Sequence, residues 1–527
     1  MGRNSWRYLI VILSMSHPFL IVQVEPPQAG NQGDYFYRTY APGVSMAKED
    51  DVWVVTLTNV HRRKHIIMDM ADVLILKNIS DPDLLPLMKK RNSESKPTVF
   101  EIADDLNALQ PWNPVYPFFK NPENLSTLYH LARRCDALQF TVTELQRLYG
   151  HLNNRHIVFP NQILQPPPER RLSQKRKTII GWGGSHGHLE DMAEIAPYLI
   201  EWMDQHPEVH LCLMGSDPIW RLFDDIPRAK KTHILPGSLD DYYRFLSTID
   251  IGVGHLKNTA FNRSRSDVKF LEYAVSGVVP VMTHLESYLY SLEHGRTGFL
   301  YHTIEECLQI LDHLVENPTL RYQVSRSARE YVLKERLQEQ HNENRIDFYG
   351  SLVPKNVKPR DKSQYITSLF HEWSLLEGSA QQGRYLNLRP SHFEMLLHDG
   401  LVAMQMDGDP ERADDLFHQA SILEPDNHLP YLYGATVSAD PIDNLKKAVE
   451  RMPHSIKARL LLGQEYFRKG DVKAALESFD SAARICPDYE VPYHRVVSLL
   501  QTIGEKEQAE ILMQKTMSLN TCYGCQS

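Results

Sequence analysis

A cluster of charged residues stands at the start of an otherwise apolar stretch, RSRSDVKFLEYAVSGVVPV, at residues 263–281. The apolar positions that share one face of a helix here are Val268, Leu271 and Val275. Lys269 and Glu272 are three residues apart and share another face, close to Arg263 and Arg265. A helix N-terminus with added cations attracts a phosphate, and a nearby carboxylate accepts hydrogen bonds from vicinal hydroxyls. The pattern fits a nucleotide-sugar, although an exposed helix start with an ordinary ion pair has the same composition.

The same stretch contains signals for both ends of the helix. Ser264 followed by Asp267 predicts a capping box, so that the helix begins at Ser264. Gly277 is expected to end the helix, and VVPV to form the next strand.

A second candidate for phosphate binding is the glycine-rich segment IIGWGGSHGHLEDM at residues 179–192. An apolar strand runs into Gly183, Gly184 and Ser185, and a helix follows. Glycines at such a turn allow backbone N–H groups to approach a phosphate closely. The segment lacks the Walker and dinucleotide-binding spacings, and on its own a tight strand–helix turn explains it equally well.

The elements that must position these residues belong to two blocks of alternating strands and helices. Continuously apolar runs such as FLIVQV and DVWVVTLTN occur throughout residues 19–164, and a similar series occupies residues 177–350. Such runs are typical of parallel strands covered by helices on both faces. Since ligands of these sheets bind at the carboxyl ends of the strands, we expect an α/β protein with two Rossmann-like domains and a cleft between them. The proline-rich, charged segment 165–176 is interpreted as a linker.

The C-terminal residues, 389–523, follow a second predicted linker at 351–388 and have a different period. One set of residues is Gly470, Ala475, Phe479, Ala482 and Pro487. The same residue types recur at the same spacing 62 residues earlier and, in part, 34 residues later. A period of 34 residues with small residues at helix contacts resembles the tetratricopeptide repeat. This resemblance implies an all-α stack of helix pairs whose concave face binds a protein partner or mediates self-association.

Several segments of the second block occur in one order, namely IIGWGGSHGHLEDM, LCLMGS, ILPGSLDDYYRFLSTIDIGVGHL, FNRSRSDVKFLEYAVSGVVPV and EHGRTGFLY. In that order and spacing, residues 177–350 resemble the nucleotide-sugar-binding half of glycosyltransferase family 4, and the first block resembles the family more loosely. The resemblance implies the two-domain GT-B fold and a hexosyltransferase-type reaction that retains anomeric configuration. It also implies a nucleotide-diphosphate sugar as donor and no bound metal or other cofactor.

The resemblance further implies roles for individual residues. Glu272 matches the family carboxylate that holds the donor ribose hydroxyls. Arg265 and Lys269 stand where some branches of the family place cations that contact the phosphates. The residues that match the glycine loops beside the cleft and the diphosphate are Gly30, Gly33, Gly183, Gly184 and Ser185.

The sequence also departs from the family at the donor site. Many members have a sugar-binding glutamate eight residues before the equivalent of Glu272, and here that position is Ser264. The residues that replace the usual arginine and lysine in and after the glycine loop are Trp182 and His188. These departures favour the branch in which the cationic residues lie on the later helix.

Asp104 and Asp105 follow the strand VFEIA at the expected carboxyl edge of the first sheet. Either carboxylate is a candidate catalytic residue, positioning the acceptor or acting as a base in the cleft. Adjacent residues point in opposite directions from a strand, so we expect at most one of them to do so. Capping of the next helix is the alternative for both.

Composition restricts the classes of function and location. The formal net charge of −9 argues against nucleic-acid binding. Six scattered cysteines in 527 residues do not form a disulfide framework, which favours a cytoplasmic protein. Residues 1–18 are interpreted as an N-terminal extension, with a signal peptide as the alternative, because polar residues and Pro18 interrupt their apolar run. Membrane contact is expected to be peripheral at most.

Two further motifs are given structural interpretations. The basic segment VHRRKH at residues 60–65 is interpreted as a solvated loop rather than a phosphate site. The C-x-x-C pair of CYGC at 522–525 is interpreted as part of a tail rather than a redox or metal site.

The sequence therefore predicts a glycosyltransferase of glycan biosynthesis that acts on a saccharide or protein acceptor. Its repeats are expected to bind the acceptor or a partner. The alternative from another class is a non-catalytic transferase-like scaffold that acts through the repeats. An epimerase or phosphorylase on the same fold is disfavoured because no lysine-rich cofactor site is evident.

Overall fold

The computed structural model describes residues 19–27, 33–113, 115–169, 177–354, 363–388 and 390–521. Predictions for the N-terminal extension, for Gly30 and for the CYGC tail fall outside these residues. The described residues form two sheets covered by helices and a C-terminal set of helices.

The strands fall into two successive groups and a late hairpin. The first group is β1 (Phe19–Glu25), β2 (Val52–Thr58), β3 (Val73–Lys77), β4 (Thr98–Ile102), β5 (Ala137–Phe140) and β6 (His156–Val158). The second group is β7 (Thr178–Gly183), β8 (Val209–Met214), β9 (Lys231–Ile234), β10 (Ile251–Gly254), β11 (Val279–Thr283) and β12 (Phe299–Tyr301). The hairpin is β13 (Ser379–Gln382) and β14 (Tyr385–Leu388).

Both sheets are built almost wholly from parallel strands. The first has the order β13-β14-β2-β1-β3-β4-β5-β6, and only the β13–β14 pair is antiparallel. The second has the order β12-β11-β10-β7-β8-β9 and is entirely parallel. Every residue of β1, β3, β4 and β5 is buried, as expected for strands covered on both faces. The predicted α/β architecture with two Rossmann-like sheets is confirmed.

Helices connect the strands and cover the sheets. Those of the first group are α1 (Gly33–Tyr35), α2 (Ala41–Met46), α3 (Lys64–Met70), α4 (Leu85–Ser93), α5 (Tyr116–Phe119), α6 (Pro122–Arg134) and α7 (Thr143–Tyr149). Those of the second are α8 (Leu189–Gln205), α9 (Asp217–Arg221), α10 (Leu239–Leu246), α11 (Ala260–Arg263), α12 (Val268–Val275), α13 (Glu286–Leu289), α14 (Ile304–Glu316), α15 (Pro318–Glu335) and α16 (Asn342–Leu352). A π-helical segment, Phe36–Tyr40, joins α1 to α2.

Helix α16 returns from the second domain to the first. Its buried residues Ile346, Tyr349 and Leu352 belong to the same apolar cluster as Val44 and Val54 of the first domain. The Tyr349 hydroxyl also donates a hydrogen bond of 2.7 Å to Gln139 on β5. The chain therefore crosses the boundary between the two sheets twice, near residue 163 and again before α16.

The segment 351–388, predicted as a linker, is structured over most of its described length. Residues 363–374 form α17 (Ser363–Ser374), and β13 and β14 extend the first sheet beyond β2. Tyr385, Leu386 and Leu388 are buried, and Trp373 packs in the core of the first domain. The prediction of a linker is therefore wrong. The polar residues of the segment suggested a linker, but they surround the short apolar strand β14, which is long enough to pair with β2.

The C-terminal region consists of α18 (His392–Val402), α19 (Pro410–Leu423), α20 (Leu429–Gly434), α21 (Pro441–Arg451), α22 (Ile456–Arg468), α23 (Val472–Ile485), α24 (Val491–Thr502) and α25 (Lys506–Thr521). Consecutive helices pack against one another. Whether these pairs are tetratricopeptide repeats stays a prediction.

The recurring small residues have a structural use. The glycines that precede α19, α23 and α25 are Gly408, Gly470 and Gly504, and their φ angles are positive at 65°, 82° and 89°. Such angles favour glycine and end the preceding helix. A Cβ on Gly400 would lie 2.5 Å from the Phe417 ring, and one on Gly463 would lie 2.6 Å from Phe479. The two helix pairs therefore make the same close approach.

No helix among the described residues is long and apolar enough to cross a bilayer.

Candidate active site between the two sheets

Helix α12 carries the charged motif, but it begins later than predicted. The Ser264 hydroxyl donates a hydrogen bond of 2.8 Å to the Phe261 carbonyl at the end of α11. The Asp267 carboxylate instead accepts a hydrogen bond of 2.7 Å from Arg336. The predicted capping box is therefore wrong, because the Ser264 hydroxyl is bonded to α11 and the Asp267 carboxylate is bonded to Arg336. The helix begins at Val268 and brings Lys269 and Glu272 to the carboxyl edge of the second sheet.

Lys269 lies against the glycine loop, as the donor-site prediction requires. Its ammonium donates a hydrogen bond to the Gly183 carbonyl and lies 5.2 Å from the centroid of the Trp182 ring. Burial lowers the pKa of Lys269 to about 8, with the Arg265 charge adding to the shift and Glu272 opposing it. A buried ammonium of this kind gains stability when an anion binds beside it.

Glu272 is in contact with the first domain. Its carboxylate accepts a hydrogen bond of 2.8 Å from the hydroxyl of Tyr37, which lies in the π-helical segment Phe36–Tyr40. Tyr242 and Tyr243 of α10 also interact with this carboxylate. Burial raises the pKa of Glu272, although Lys269 and the hydroxyls of Tyr37 and Tyr242 oppose the rise. Sequence reasoning missed Tyr37, since nothing in the local pattern indicates a contact 235 residues away.

The glycine loop is tightly packed at both glycines. A Cβ on Gly183 would lie 2.7 Å from the Tyr242 ring, and one on Gly184 would lie 2.7 Å from Trp182. The Gly184 N–H donates a hydrogen bond of 3.0 Å to the Met214 carbonyl, so this donor is already used within the sheet. Ser185 is exposed and precedes the short turn His186–His188. Packing therefore requires both glycines, whether or not a phosphate binds beside the loop.

Arg265 approaches the same loop through a network that the sequence did not reveal. One guanidinium nitrogen lies 3.5 Å from Nδ1 of His188, and the same Nδ1 is 2.8 Å from the Asp191 carboxylate. Burial lowers the pKa of His188 to about 3, and the Arg265 charge adds to this effect. His188 is therefore neutral at physiological pH. One signal in the sequence could have revealed the contact between His188 and Asp191. The two residues are three apart at a helix start, and such residues share a face.

The carboxyl edge of the first sheet holds a group of paired charges. Lys77, at the end of β3, lies 2.7 Å from the Glu25 carboxylate and 2.6 Å from that of Asp34. Lys77 and Glu25 are each 2% exposed, and the two carboxylates raise the pKa of Lys77 against its burial. Gly33 begins α1 beside this group, and a Cβ there would have no neighbour within 4 Å. Packing therefore does not require glycine at position 33.

The two adjacent aspartates have different surroundings. Asp105 is buried, accepts a hydrogen bond of 2.5 Å from the Tyr149 hydroxyl and caps the Asn107 N–H. Its catalytic role is therefore not supported, because the carboxylate is used inside the first domain. Asp104 is half-buried, and burial and the charge of Asp34 raise its pKa to about 6. The charges of Arg265, Lys77 and Arg38 oppose this rise, and Arg265 belongs to the second domain.

The basic segment VHRRKH contacts the C-terminal helices. Arg62 pairs at 3.0 Å with Glu424, which directly follows α19, whereas Arg63 pairs with Glu372 of α17 at 2.5 Å. Nearby, Asp83 accepts hydrogen bonds of 2.7 Å from the Ser455 hydroxyl and 3.0 Å from the Lys457 N–H. The segment is therefore part of an interface between domains, which neither the solvated-loop nor the phosphate-site interpretation foresaw.

Comparison with known families gives a match within the second domain. Residues 197–348 match the family model described as "Glycosyl transferase-like", which covers less than half of the chain. No curated protein matches significantly. The matched residues include α12 with Lys269 and Glu272, whereas the glycine loop at residues 183–185 lies before the match.

Several solved structures are similar in part. S. aureus TarM is 14% identical with a TM-score of 0.41, over 53% of this chain and 54% of that chain. Anabaena Alr3699/HepE, in complex with UDP and glucose, is 12% identical with a TM-score of 0.46, over 63% and 100%. Sucrose-phosphate synthase from Thermosynechococcus elongatus is 11% identical with a TM-score of 0.46, over 63% and 99%. The chain spans about half the length of TarM.

Proposed function

We propose that this protein is a retaining GT-B-type glycosyltransferase that uses a nucleotide-sugar and acts on a saccharide or protein acceptor. The observation that carries the proposal is that Lys269 donates to the Gly183 carbonyl, while the charges of Glu272 and Arg265 both act on Lys269 and Arg265 lies beside His188. This group lies at the carboxyl edge of a parallel sheet and faces a second such sheet, where α/β proteins bind nucleotides.

The donor is proposed to bind with its ribose at Glu272 and its diphosphate near Lys269 and Arg265. A carboxylate accepts from two vicinal hydroxyls, and the two cations supply the charge that a diphosphate needs. Lys269 is desolvated and makes no salt bridge to a described carboxylate, so its charge is available to a ligand. Nucleotide-sugar binding without a bound metal stays a prediction from the family resemblance.

In the proposed reaction the bond between the sugar and the diphosphate breaks, and the acceptor hydroxyl forms the new glycosidic bond on the same face. Lys269 and Arg265 stabilise the charge that develops on the leaving diphosphate. A phosphate oxygen takes the acceptor proton, so a dedicated base is not required. Asp104 is proposed to position the acceptor hydroxyl, and with a pKa of about 6 it is mainly ionised at neutral pH.

The C-terminal helices are proposed to bind the acceptor or a partner. They pack against loops that follow β2 and β3, which lie at the same edge of the first sheet as Asp104. An acceptor bound to these helices would thus lie on the acceptor side of the cleft. The cytoplasmic location also stays a prediction.

The test of the donor site is thermal stabilisation of the protein by UDP, GDP, ADP and CMP. We expect one nucleotide to raise the melting temperature, and we expect Glu272→Ala and Lys269→Ala to abolish that rise. Glu477→Ala and Lys473→Ala are matched controls, because both residues are exposed on α23, away from the cleft. Absence of any nucleotide effect in the wild type and the controls would contradict the proposal.

One observation favours the non-catalytic scaffold as a second candidate. The donor residues are covered by side chains of the protein itself, with Tyr37 on Glu272 and Tyr242 against Gly183. A transferase-like protein that no longer binds a donor would tolerate side chains that occupy the donor site. A nucleotide-sugar hydrolysis or transfer assay separates the candidates, since the scaffold releases no nucleotide under any condition.

A further inference from the structure

We propose that Tyr37 is a latch that competes with the donor: it holds the empty cleft closed by occupying the hydroxyl-binding position on Glu272. The proposal rests on the proposed function, because it takes Glu272 to be the residue that binds the ribose. It assigns a role in donor affinity to a residue of the opposite domain.

The contact between Tyr37 and Glu272 is deeply buried. The Tyr37 hydroxyl donates to Oε1 of Glu272 at 2.8 Å, and the two residues are 3% and 8% exposed. The Tyr37 ring belongs to the same apolar cluster as Phe245 and Leu271 of the second domain. A side chain of the first domain is thus inserted into the second domain at the donor carboxylate.

The segment that carries Tyr37 is fixed to its own domain. The next residue, Arg38, donates hydrogen bonds of 2.5 Å to Glu101 on β4 and 2.6 Å to the Phe159 carbonyl. Both residues lie in the π-helical segment Phe36–Tyr40, a local geometry that is frequent at functional sites. Because Arg38 holds the segment in place, Tyr37 leaves Glu272 only when its side chain rotates or the two domains separate.

A phenol hydroxyl on a buried carboxylate has the same chemistry as a ribose hydroxyl there. Both are neutral O–H donors, and a pair of vicinal ribose hydroxyls needs both oxygens of Glu272, including the Oε1 that Tyr37 occupies. Donor binding must therefore displace Tyr37, and the apparent dissociation constant equals the intrinsic constant divided by the fraction of molecules in which the latch is open. A hydrogen bond to a charged group corresponds to an equilibrium factor of about tenfold or more.

The test compares Tyr37→Phe with the matched control Tyr35→Phe. Tyr35 lies two residues earlier, and its hydroxyl accepts a hydrogen bond of 2.7 Å from Asn387, away from Glu272. Titration calorimetry with UDP, GDP, ADP and CMP measures the dissociation constants. We expect Tyr37→Phe to bind the accepted nucleotide about tenfold more tightly than the wild type. Tyr35→Phe should leave the affinity unchanged.

A second measurement examines the latch without any nucleotide. Amide hydrogen exchange in residues 36–40 and 268–275 should be faster in Tyr37→Phe than in the wild type, because the contact that joins the domains is lost. The same amides should be unchanged in Tyr35→Phe. Both the tighter binding and the faster exchange are required.

The outcomes separate the latch from the proposed function. Equal or weaker binding by Tyr37→Phe, in a protein whose wild type binds a nucleotide, overturns the latch alone. Tighter binding by Tyr37→Phe than by a wild type that binds the same nucleotide, together with the faster exchange, supports both. Failure of all three proteins to bind any of the four nucleotides overturns both, and the scaffold then explains the closed cleft.

Discussion

The two sheets present their carboxyl edges to one another, and both edges carry buried charges, but the charges are used differently. At the edge of the first sheet, Lys77 is held between Glu25 and Asp34. At the edge of the second, Arg265 and Lys269 form no salt bridge to any carboxylate among the described residues. A lysine that is already paired stabilises the fold, whereas a desolvated lysine that makes no direct salt bridge is suited to bind an anionic ligand.

The strongest test of this contrast is Lys77→Met at the first edge. Removing Lys77 leaves the buried Glu25 carboxylate beside Asp34 without its cation, which we expect to cost about 3–5 kcal/mol of folding free energy. Urea denaturation measures the loss. Lys90→Met is the matched control, since Lys90 pairs with Asp69 at the surface and should leave the midpoint almost unchanged. A small effect of Lys77→Met would remove the basis of the comparison.

Lys269→Met should have the opposite pair of effects, with a small loss of stability and a large loss of activity. Its hydrogen-bond partner is the neutral Gly183 carbonyl, so the urea midpoint should change much less than in Lys77→Met. Nucleotide release from the matching nucleotide-sugar should fall by about 10²–10³-fold, because a preorganised cation at the leaving group is lost. Equal loss of stability in the two lysine variants would contradict the assignment of different roles.

Asp104→Asn tests the carboxylate at the first edge whose raised pKa is lowered in part by Arg265 of the second domain. We expect turnover to fall by about tenfold to a hundredfold, the worth of a hydrogen bond to a charged group. The ionised carboxylate is a stronger acceptor for the acceptor hydroxyl than the protonated acid, so wild-type turnover should rise as the pH rises through about 6. Asp104→Asn should lack that rise. Asp105→Asn serves as the comparison, since it should reduce stability without removing the pH step.

The smallest expected effect concerns pH and the donor site. Lys269 has a pKa of about 8 in the empty cleft, so it loses its proton as the pH rises through that value. Nucleotide affinity should then weaken by at most about tenfold per pH unit. Lys269→Arg should bind without this dependence, since a guanidinium stays charged throughout. Calorimetric titration across this pH range gives the result directly.

The donor edge was predictable because its signals lie within short segments of the sequence. The helical period around Lys269 and Glu272 and the glycines at 183 and 184 are local patterns, and the parallel sheet places them together. The strands were predictable for the same reason, since continuous apolar runs indicate strands covered on both faces.

The remaining parts of the site depend on contacts between distant residues. Tyr37 meets Glu272, and Lys77 meets Glu25 and Asp34, only after the strand order is fixed. No local pattern in the sequence indicates these contacts. The choice between Asp104 and Asp105 depended on the direction in which the chain leaves β4, and the sequence could only limit the number to one.

The late hairpin has a consequence for any shortened form of the protein. Strand β14 pairs in parallel with β2 from Tyr385 to Asn387, so β2 is an inner strand of the sheet. A chain that ends after residue 352 would have β2 at the edge, with its row of N–H and C=O groups unpaired. Exposed edges of apolar strands pair with other molecules. We therefore expect the two-domain fragment to aggregate, while a fragment ending beyond residue 388 stays monodisperse in light scattering.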